Sequence, residues 1–238
     1  DLARNYGVSR IELESCHFGG YGHVHHHLKE GVDLGSVGRY LFGLCFSEGC
    51  RARAGALGLD PYGLRSWVAG RLDRVLAGGS PLDGDVAEFL SEHVELDAYQ
   101  RMREDVVTDL VREVRRATGV EVSYILMGDP WTTGARRERI AAAADLIEVL
   151  AYTDTPAVVA QRVQEVASGP DQARRLVVGL QAYHPCACSE AALAAQVHSA
   201  TGAGVTRFSY YNYGIMPRAN LEWVESCIKA GQKVARPG

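Results

Sequence analysis

The second half of the chain repeats a strand-and-helix pattern at a nearly constant spacing. Apolar runs of strand length begin near Leu146, Arg175 and Val205, 29 or 30 residues apart, with helical patterns between them. Two earlier runs begin near Val120 and within "VSRIELES" at residues 8–15. Five strands that alternate with helices predict a parallel sheet, either an open doubly wound sheet or part of a (β/α)₈ barrel.

Capping residues predict where the helices lie. Three helices of this half are predicted from an opening and a closing residue each: Thr155 (before Pro156) and Gly169, Ser189 and Gly202, Pro217 and Gly231. Residues 16–118 form a mostly helical excursion, in which Asp60 and Pro61 start one helix. Residues 98–119 predict a long amphipathic helix. Its buried face is predicted to contain Tyr99, Met102, Val106, Leu110 and Val114.

Side-chain alternation on the first strand favours a barrel over an open sheet. Glu12 and Glu14 share one face of this strand. An open sheet covered by helices on both faces rarely accepts two carboxylates, whereas the lumen of a barrel near its mouth does. No G-x-G-x-x-G motif follows a strand, which disfavours dinucleotide binding. We predict strands four to eight of a TIM barrel, in a single domain over residues 1–238 with residues 16–118 inserted after the first strand.

The beginning of the chain predicts a fragment. The opening "DLARNYG" lacks an initiator Met and is typical of the last turn of a helix closed by Gly7. The expected partner is therefore the missing N-terminal part of the same barrel. We predict an open, curved sheet with "RIELES" and "TRFSYYN" as its two edge strands.

Composition excludes several classes of partner. The chain has a net charge of -4, and Arg and Glu are mixed along most helices, so we expect no nucleic-acid partner. We also expect no membrane partner, because no apolar run reaches the ~18 residues that a spanning helix needs. Six scattered cysteines are too few for a disulfide scaffold, and the localisation stays open.

Carboxylates at strand ends are the candidate catalytic groups. Glu14 is predicted to be a general acid, because a barrel mouth among aromatic rings solvates a carboxylate poorly and raises its pKa. Hydrolysis of a glycosidic bond uses two carboxyl groups, about 5 to 5.5 Å apart for retention and about 6.5 to 9.5 Å apart for inversion. Asp154 and Glu148 are the candidate partners. Two alternatives stay open: lumen carboxylates often only pair with Arg or Lys, and Asp154 can belong to the turn before a helix.

Aromatic and polar side chains beyond the strands are candidate substrate-binding groups. Aromatic rings stack on the C–H faces of sugars, and neighbouring polar groups bind sugar hydroxyls. Alternation groups Phe208, Tyr210 and Asn212 on one face of the last strand. The alternative is that these tyrosines belong to the core. The candidate substrate-binding residues are Glu12, His17, His23, His25, Tyr152, Gln181, Tyr183, Tyr210 and Asn212.

Five of the eight histidines lie in residues 17–27, a glycine-rich stretch after the first strand. One hypothesis is a metal-dependent hydrolase that uses His25, His27, His184 and Asp154. Paired histidine ligands usually lie at rigid strand ends, whereas these lie about ten residues beyond one, so we expect no metal and no cofactor. Instead we expect this loop to cross the barrel mouth, with one histidine titrating together with Glu12 or Glu14. A non-catalytic carbohydrate-binding barrel is the third hypothesis.

Three stretches resemble a known group of proteins. "CFSEGCRAR" at residues 45–53 is similar to a C-[FY]-C-x-x-C segment followed by a basic helix in uncharacterised glycoside hydrolase-like TIM-barrel proteins, with Ser47 in place of the middle cysteine. "GVSRIELES" and "GVTRFSYYNYG" resemble the fourth and eighth strands of these proteins. The resemblance implies a barrel glycosidase with a carboxylate at the end of strand four, which falls on Glu14. The chain has no Glu at the end of the seventh strand, where retaining barrel glycosidases carry their nucleophile.

Overall fold

The computed structural model describes residues 2–19 and 31–234. The strands are β1 Arg10–Leu13, β2 Glu121–Leu126, β3 Leu146–Leu150, β4 Leu176–Gln181 and β5 Arg207–Tyr211. The helices are α1 Leu2–Tyr6, α2 Gly35–Phe42, α3 Glu48–Ala56, α4 Pro61–Leu76, α5 Val86–Ser91, α6 Val94–Thr118, α7 Pro130–Thr133, α8 Arg137–Ala143, α9 Pro156–Val166, α10 Pro170–Ala173, α11 Glu190–Gly202 and α12 Asn220–Val234. None of these helices is both long enough and apolar enough to cross a membrane.

The described chain forms two compact units. The first contains Asp1–Glu14, Val114–Met127 and Ile140–Gly238, and it holds the whole sheet. The second contains Ser15–Glu113 and Gly128–Arg139 and is helical. The expectation of one domain stays a prediction, because a division into compact units does not by itself make either unit an independent domain.

The sheet of the first unit is entirely parallel, with the strand order β1-β2-β3-β4-β5. This confirms the predicted open sheet with the first and last strands at its edges. The sheet is curled like half of a barrel. Arg10 Nε donates to Glu121 Oε1 at 2.8 Å, and Arg207 Nη1 donates to Glu121 Oε2 at 3.1 Å. Since β2 and β5 are three strand spacings apart, ~14 Å in a flat sheet, this contact requires the sheet to curl towards the Glu121 side.

The convex face of the sheet is apolar and lies under helices. Alternate residues of the three central strands point to this side and are buried: Val122, Tyr124, Ile147, Val149, Val178 and Leu180. Helix α9 contacts β3 and helix α11 contacts β4. The face is therefore the hydrophobic core of the first unit, as expected for strands joined by right-handed crossover helices.

Capping side chains start the helices at the predicted residues in two cases. Asp60 Oδ1 accepts from the backbone N–H groups of Tyr62 and Gly63, and Ser189 Oγ accepts from Ala192 N. The boundaries predicted for the last helix were wrong at both ends. It begins at Asn220 rather than Pro217 because Pro217 starts a turn that Asn220 N closes, and it continues past Gly231 to Val234.

A buried arginine organises the second unit. The Arg103 side chain is completely buried and donates to the backbone carbonyls of Trp131 and Thr132 at 2.9 and 2.5 Å. It also donates to Gln100 Oε1 at 2.8 Å, and its guanidinium lies 4.7 Å from the centre of the Phe18 ring. A buried charge is tolerated only with such partners, so Arg103 fixes the segment around α7 against α6.

The buried face of α6 differs from the predicted one. Tyr99 and Met102 are buried as predicted, but the face continues through Val107 and Val111, whereas Leu110 is 42% exposed. The prediction was wrong by one position because valines at both 106 and 107 allow two apolar stripes at helical spacing.

The corrected face of α6 predicts unequal effects of two truncations. Val111→Ala is expected to lower the free energy of unfolding by about 2 kcal/mol, since it removes two buried methyl groups and leaves a cavity. Leu110→Ala, on the next residue of the same helix, is expected to change it by less than about 0.5 kcal/mol. Urea unfolding of both variants measures the difference. A larger loss for Leu110→Ala than for Val111→Ala would contradict this packing.

Candidate active site

Strand register places a set of small and acidic side chains on the concave face. Glu12 pairs with Ser123, and Gly179 pairs with Ser209. The residues that pair with Glu148 lie on the same face of β2 as Ser123 and on the same face of β4 as Gly179. Glu12, Ser123, Glu148, Gly179 and Ser209 therefore all lie on the same side of the sheet as Glu121. Glu12, Glu148 and Ser209 come from alternate strands, β1, β3 and β5. Interior layers of (β/α)₈ barrels are built from alternate strands in the same way.

The Glu148 carboxyl group is the centre of this layer. Its residue is only 2% exposed, and the side chains of Glu12 and Ser209 lie close enough to affect its pKa. A Cβ atom on Gly179 would lie 3.0 Å from Glu148 Oε1. Glycine at this position therefore leaves the space that the buried carboxyl group occupies, because any larger residue would crowd it.

The surroundings of Glu148 favour its protonated form. Burial, the hydrogen bond to Glu12 and the negative charge of Glu12 raise the pKa of Glu148 to about 8, and the Ser209 hydrogen bond and the Arg10 charge only partly oppose them. Glu148 therefore keeps its proton near neutral pH. We call Glu12 and Glu148 the carboxyl pair.

An unsatisfied oxygen supports the same protonation state. Glu148 Oε2 and Ser123 Oγ are buried and find no hydrogen-bond partner among residues 2–19 and 31–234. An unpartnered buried oxygen is far more costly when its carboxyl group is charged than when it is neutral. Glu148 is therefore the buried, proton-holding member of the pair, and Glu12 is its solvent-exposed member.

Glu14 and two tyrosines lie nearer the carboxyl ends of the strands. Glu14 is exposed and occupies the position two residues after Glu12, on the same face. Burial raises the pKa of Tyr152, and the neighbouring Tyr211, Glu148 and Glu14 raise it further. The rings of Tyr152 and Tyr211 are 5.2 Å apart between centroids and inclined by 31°. Carboxyl groups and aromatic rings thus share the concave face.

One predicted substrate-binding residue faces the other way. Because Gly179 pairs with Ser209 and Gln181 pairs with Tyr211, Tyr210 lies on the opposite face of β5, where its ring stacks with that of Phe208. The prediction that Tyr210 faces the site was wrong. Alternation alone could not choose the face in a strand with aromatic residues on both sides.

Asn212 follows the end of β5 and serves a turn. Its Oδ1 accepts from Gly214 N at 2.8 Å. This hydrogen bond is an Asx turn, which uses the side-chain oxygen that the sequence had predicted to bind substrate.

The other predicted residues of the first unit lie at the end of β4 and in the loops that follow β3 and β4. Asp154 is exposed in the turn before α9, and its Oδ1 accepts from Thr155 Oγ1 at 2.9 Å. Gln181 Nε2 donates to the carbonyl oxygen of His184 at 3.2 Å, and Tyr183 is half-buried. The catalytic role of Asp154 stays a prediction, whereas its place in the turn agrees with the alternative interpretation.

The histidine hypotheses cannot be followed into the loop. His23, His25, His26 and His27 lie outside the described residues. His17 belongs to the second unit, where its Nδ1 lies 2.8 Å from the carbonyl oxygen of Phe18. Over residues 2–19 and 31–234, no group of three or more His, Cys, Asp or Glu side chains could hold a metal ion. The loop across the mouth and the metal-dependent hydrolase stay predictions.

A cleft of about 370 Å³ lies in the second unit, and none of the predicted site residues is among those that line it. It is lined by Gly63, Leu64, Trp67, His93, Val94, Glu95 and Leu96. One carboxylate and one imidazole among apolar side chains offer no pair of acids. The concave face, which carries the carboxyl groups of Glu12, Glu14 and Glu148, is therefore the better candidate for acid–base chemistry.

Sequence analysis missed three groups that shape the site. Glu121 is the common acceptor of Arg10 and Arg207, Ser123 pairs with Glu12, and Ser209 affects the pKa of Glu148. The alternation from Glu121 to Ser123 was a usable signal, since both polar residues fall on one face of an otherwise apolar strand. Ser209 could be identified only from the register of β5 against β4.

Comparison of the sequence with protein-family models and with curated proteins finds no match.

The raised pKa of Glu148 predicts a pH dependence of stability. Between the ordinary value of 4.5 and about 8, the folded protein holds a proton that the unfolded chain has lost. The free energy of unfolding should therefore decrease as pH rises through this window. In Glu148→Gln the neutral amide cannot ionise, so the decrease should be smaller and the variant should gain stability relative to the wild type as pH rises.

Urea unfolding at several pH values measures this effect. Glu222→Gln, which neutralises an exposed carboxylate of α12, is the matched control and should keep the wild-type slope. Equal slopes for the wild type and Glu148→Gln across the window would show that Glu148 is not the group that holds the proton.

Proposed function

We propose that the concave face of the first unit is the catalytic face of a glycoside hydrolase-like TIM barrel, in which β1 to β5 correspond to strands four to eight. The observation that carries this proposal is the carboxyl pair, because a general acid must be protonated at the working pH. The polar concave face and the open edges at β1 and β5 support the barrel assignment. The rest of the same barrel would cover both edges and enclose the face.

Within the pair, Glu12 is the residue that donates the proton to the leaving oxygen. It is exposed, whereas Glu148 is 2% exposed and cannot contact a substrate. Glu148 is a positioning residue that passes its proton to Glu12 as Glu12 protonates the leaving oxygen, and the pair takes up a new proton from solvent after each turnover. Ser209 lies close enough to Glu148 to lower its pKa in part. The proposed proton donor is therefore Glu12 of the carboxyl pair, whereas the sequence had predicted Glu14.

Glu14 supplies the second carboxyl group. The Cα atoms of residues two apart on one face of a strand are separated by ~6.6 Å, and side chains that extend in parallel keep about this spacing. This spacing lies within the range of about 6.5 to 9.5 Å that leaves room for a water molecule in inverting enzymes. Glu14 therefore acts as the general base that activates water. An inverting mechanism needs no covalent nucleophile, which agrees with the absence of a Glu at the end of β4, where Gln181 stands.

The neighbouring tyrosines fit a carbohydrate substrate. Tyr211 is 40% exposed, and its ring is next to that of Tyr152 on the side of the carboxyl pair. A sugar ring presents C–H groups to such faces and hydroxyl groups to the surrounding carboxylates and to Gln181. Asp154, in the loop after β3, is available to a longer substrate.

Hydrolysis of a panel of glycosides by the full-length protein tests this proposal. Glu12→Gln is expected to lower kcat/KM for alkyl glycosides by about 10² to 10⁴, with a much smaller loss for nitrophenyl glycosides, whose leaving group needs little protonation. Glu14→Gln is expected to lower kcat/KM for both classes of glycoside by similar factors, since water activation does not depend on the leaving group. Proton NMR should show the product anomer with inverted configuration first.

Two results would overturn the proposal. Equal losses for both classes of leaving group in Glu12→Gln would remove Glu12 as the proton donor. Sugar binding without hydrolysis of any glycoside would instead favour the non-catalytic carbohydrate-binding barrel. Glu222→Gln is the control variant and should keep wild-type activity.

A further inference from the structure

Two cysteines of the second unit are in direct contact. Cys45 lies in the loop between α2 and α3, and Cys50 lies in the first turn of α3. Their Sγ atoms are 3.3 Å apart. Cys45 is partly exposed, whereas Cys50 is buried. The exposed sulfur can therefore meet an external reactant, and the buried one lies directly behind it.

The loop that carries Cys45 is held in place by its surroundings. Tyr99 Oη donates to the carbonyl oxygen of Cys45 at 2.5 Å, and the Phe46 ring stacks on the Tyr99 ring at 5.0 Å. Arg51 Nη1 donates to the carbonyl oxygen of Phe46 at 2.7 Å. These contacts fix the backbone of Cys45 and of the residue that follows it, so the approach of the two sulfurs is built into the fold.

The two thiols differ in their chemistry. Burial raises the pKa of Cys45, but hydrogen bonds with Ser47 and Cys50 and the Arg103 charge outweigh it and lower this pKa below its ordinary value. Burial raises the pKa of Cys50. Cys45 therefore forms the thiolate more easily, and the thiolate is the reactive species in exchange with disulfides.

We propose that Cys45 and Cys50 form a redox site that closes to a disulfide by exchange with a low-molecular-weight disulfide. The Cys45 thiolate attacks one sulfur of that molecule, its sulfur–sulfur bond breaks, and one thiolate leaves and takes up a proton. Cys50 then loses its proton and attacks Cys45 Sγ, and the second thiolate leaves. Two protein thiols are oxidised, and the small disulfide is reduced to two thiols.

The geometry favours this closure over other thiol chemistry. The sulfurs must approach from 3.3 Å to a bond length of ~2.05 Å, which side-chain rotation within a fixed loop can supply. In the part of the chain that the structure describes, no third His, Cys, Asp or Glu joins them to form a metal site. The site lies in the second unit and does not depend on the carboxyl pair of the sheet.

Equilibration of the reduced full-length protein in mixtures of reduced and oxidised glutathione tests the proposal. Trypsin releases residues 40–51 as one peptide that contains Cys45 and Cys50 and no other cysteine. After alkylation of free thiols, mass spectrometry distinguishes the bridged peptide from the doubly alkylated one. The ratio of bridged to doubly alkylated peptide is expected to be about tenfold higher in the native protein than in the urea-unfolded protein, because the fold holds the sulfurs together. Equal or weaker bridging in the native protein would overturn the proposal.

Three variants test the roles of the two cysteines. Cys50→Ser should accumulate a lasting mixed disulfide of Cys45 with glutathione, because no second thiol resolves it. Cys45→Ser should form no bridge and should leave Cys50 slow to react. Cys188→Ser, which removes an exposed thiol of the first unit, should leave the bridge unchanged. Faster modification of Cys50 than of Cys45, or no adduct in Cys50→Ser, would contradict the proposed order of attack.

The Ser47 hydroxyl provides a test of reactivity that is separate from folding. Ser47→Ala removes a hydrogen bond that lowers the pKa of Cys45. Alkylation of Cys45 as a function of pH should therefore shift to higher pH in this variant, while the bridge still forms at equilibrium. An unchanged pH profile would show that Ser47 does not activate Cys45.

Discussion

The curl of the parallel sheet is the constraint on which the proposed chemistry depends. In a flat sheet, side chains on every second strand, such as β1, β3 and β5, would lie ~10 Å apart. Curling towards one face brings Glu12 and Ser209 close enough to Glu148 to affect its pKa. The bonds from Arg10 and Arg207 to Glu121 span the same face one layer below. These ion pairs are 31% to 41% exposed, so each contributes little stability, and they report the curl more than they cause it.

Residue size decides which carboxyl group becomes buried. The neighbouring strand β4 carries Gly179 beside Glu148 on the concave face, and this glycine leaves room for the carboxyl group. Burial favours the neutral form of Glu148, and the negative charge of Glu12 favours it further. A buried protonated acid thereby lies beside an exposed carboxyl group. A buried carboxyl group without the exposed Glu12 would be a structural feature only, because no substrate could contact it.

Much of the sheet could be predicted from the sequence, because strand spacing and the burial of a parallel sheet leave a strong apolar signal. The five strands, their order and the concave position of Glu12 and Glu148 followed from spacing and alternation. The face of β5 did not, since Phe208, Tyr210 and Tyr211 put aromatic residues on both sides and only pairing with β4 distinguishes them. Adjacent valines in α6 created a similar ambiguity, and the buried face of that helix was therefore predicted wrongly. The raised pKa of Glu148 depends on contacts between residues far apart in the sequence, which no local pattern contains.

The titration of the glutamate side chains, followed residue by residue by carbon-13 NMR of their carboxyl groups, tests the central claim most directly. The carboxyl carbon of Glu148 is expected to titrate at about 8 in the wild type. In Glu12→Gln its pKa should fall, because one hydrogen-bond acceptor and one negative charge are gone, yet stay above 4.5 because the group remains buried. Titration of Glu148 at its ordinary value of 4.5 in the wild type, with no change in Glu12→Gln, would contradict the raised pKa of Glu148 and with it the proposed chemistry of the concave face.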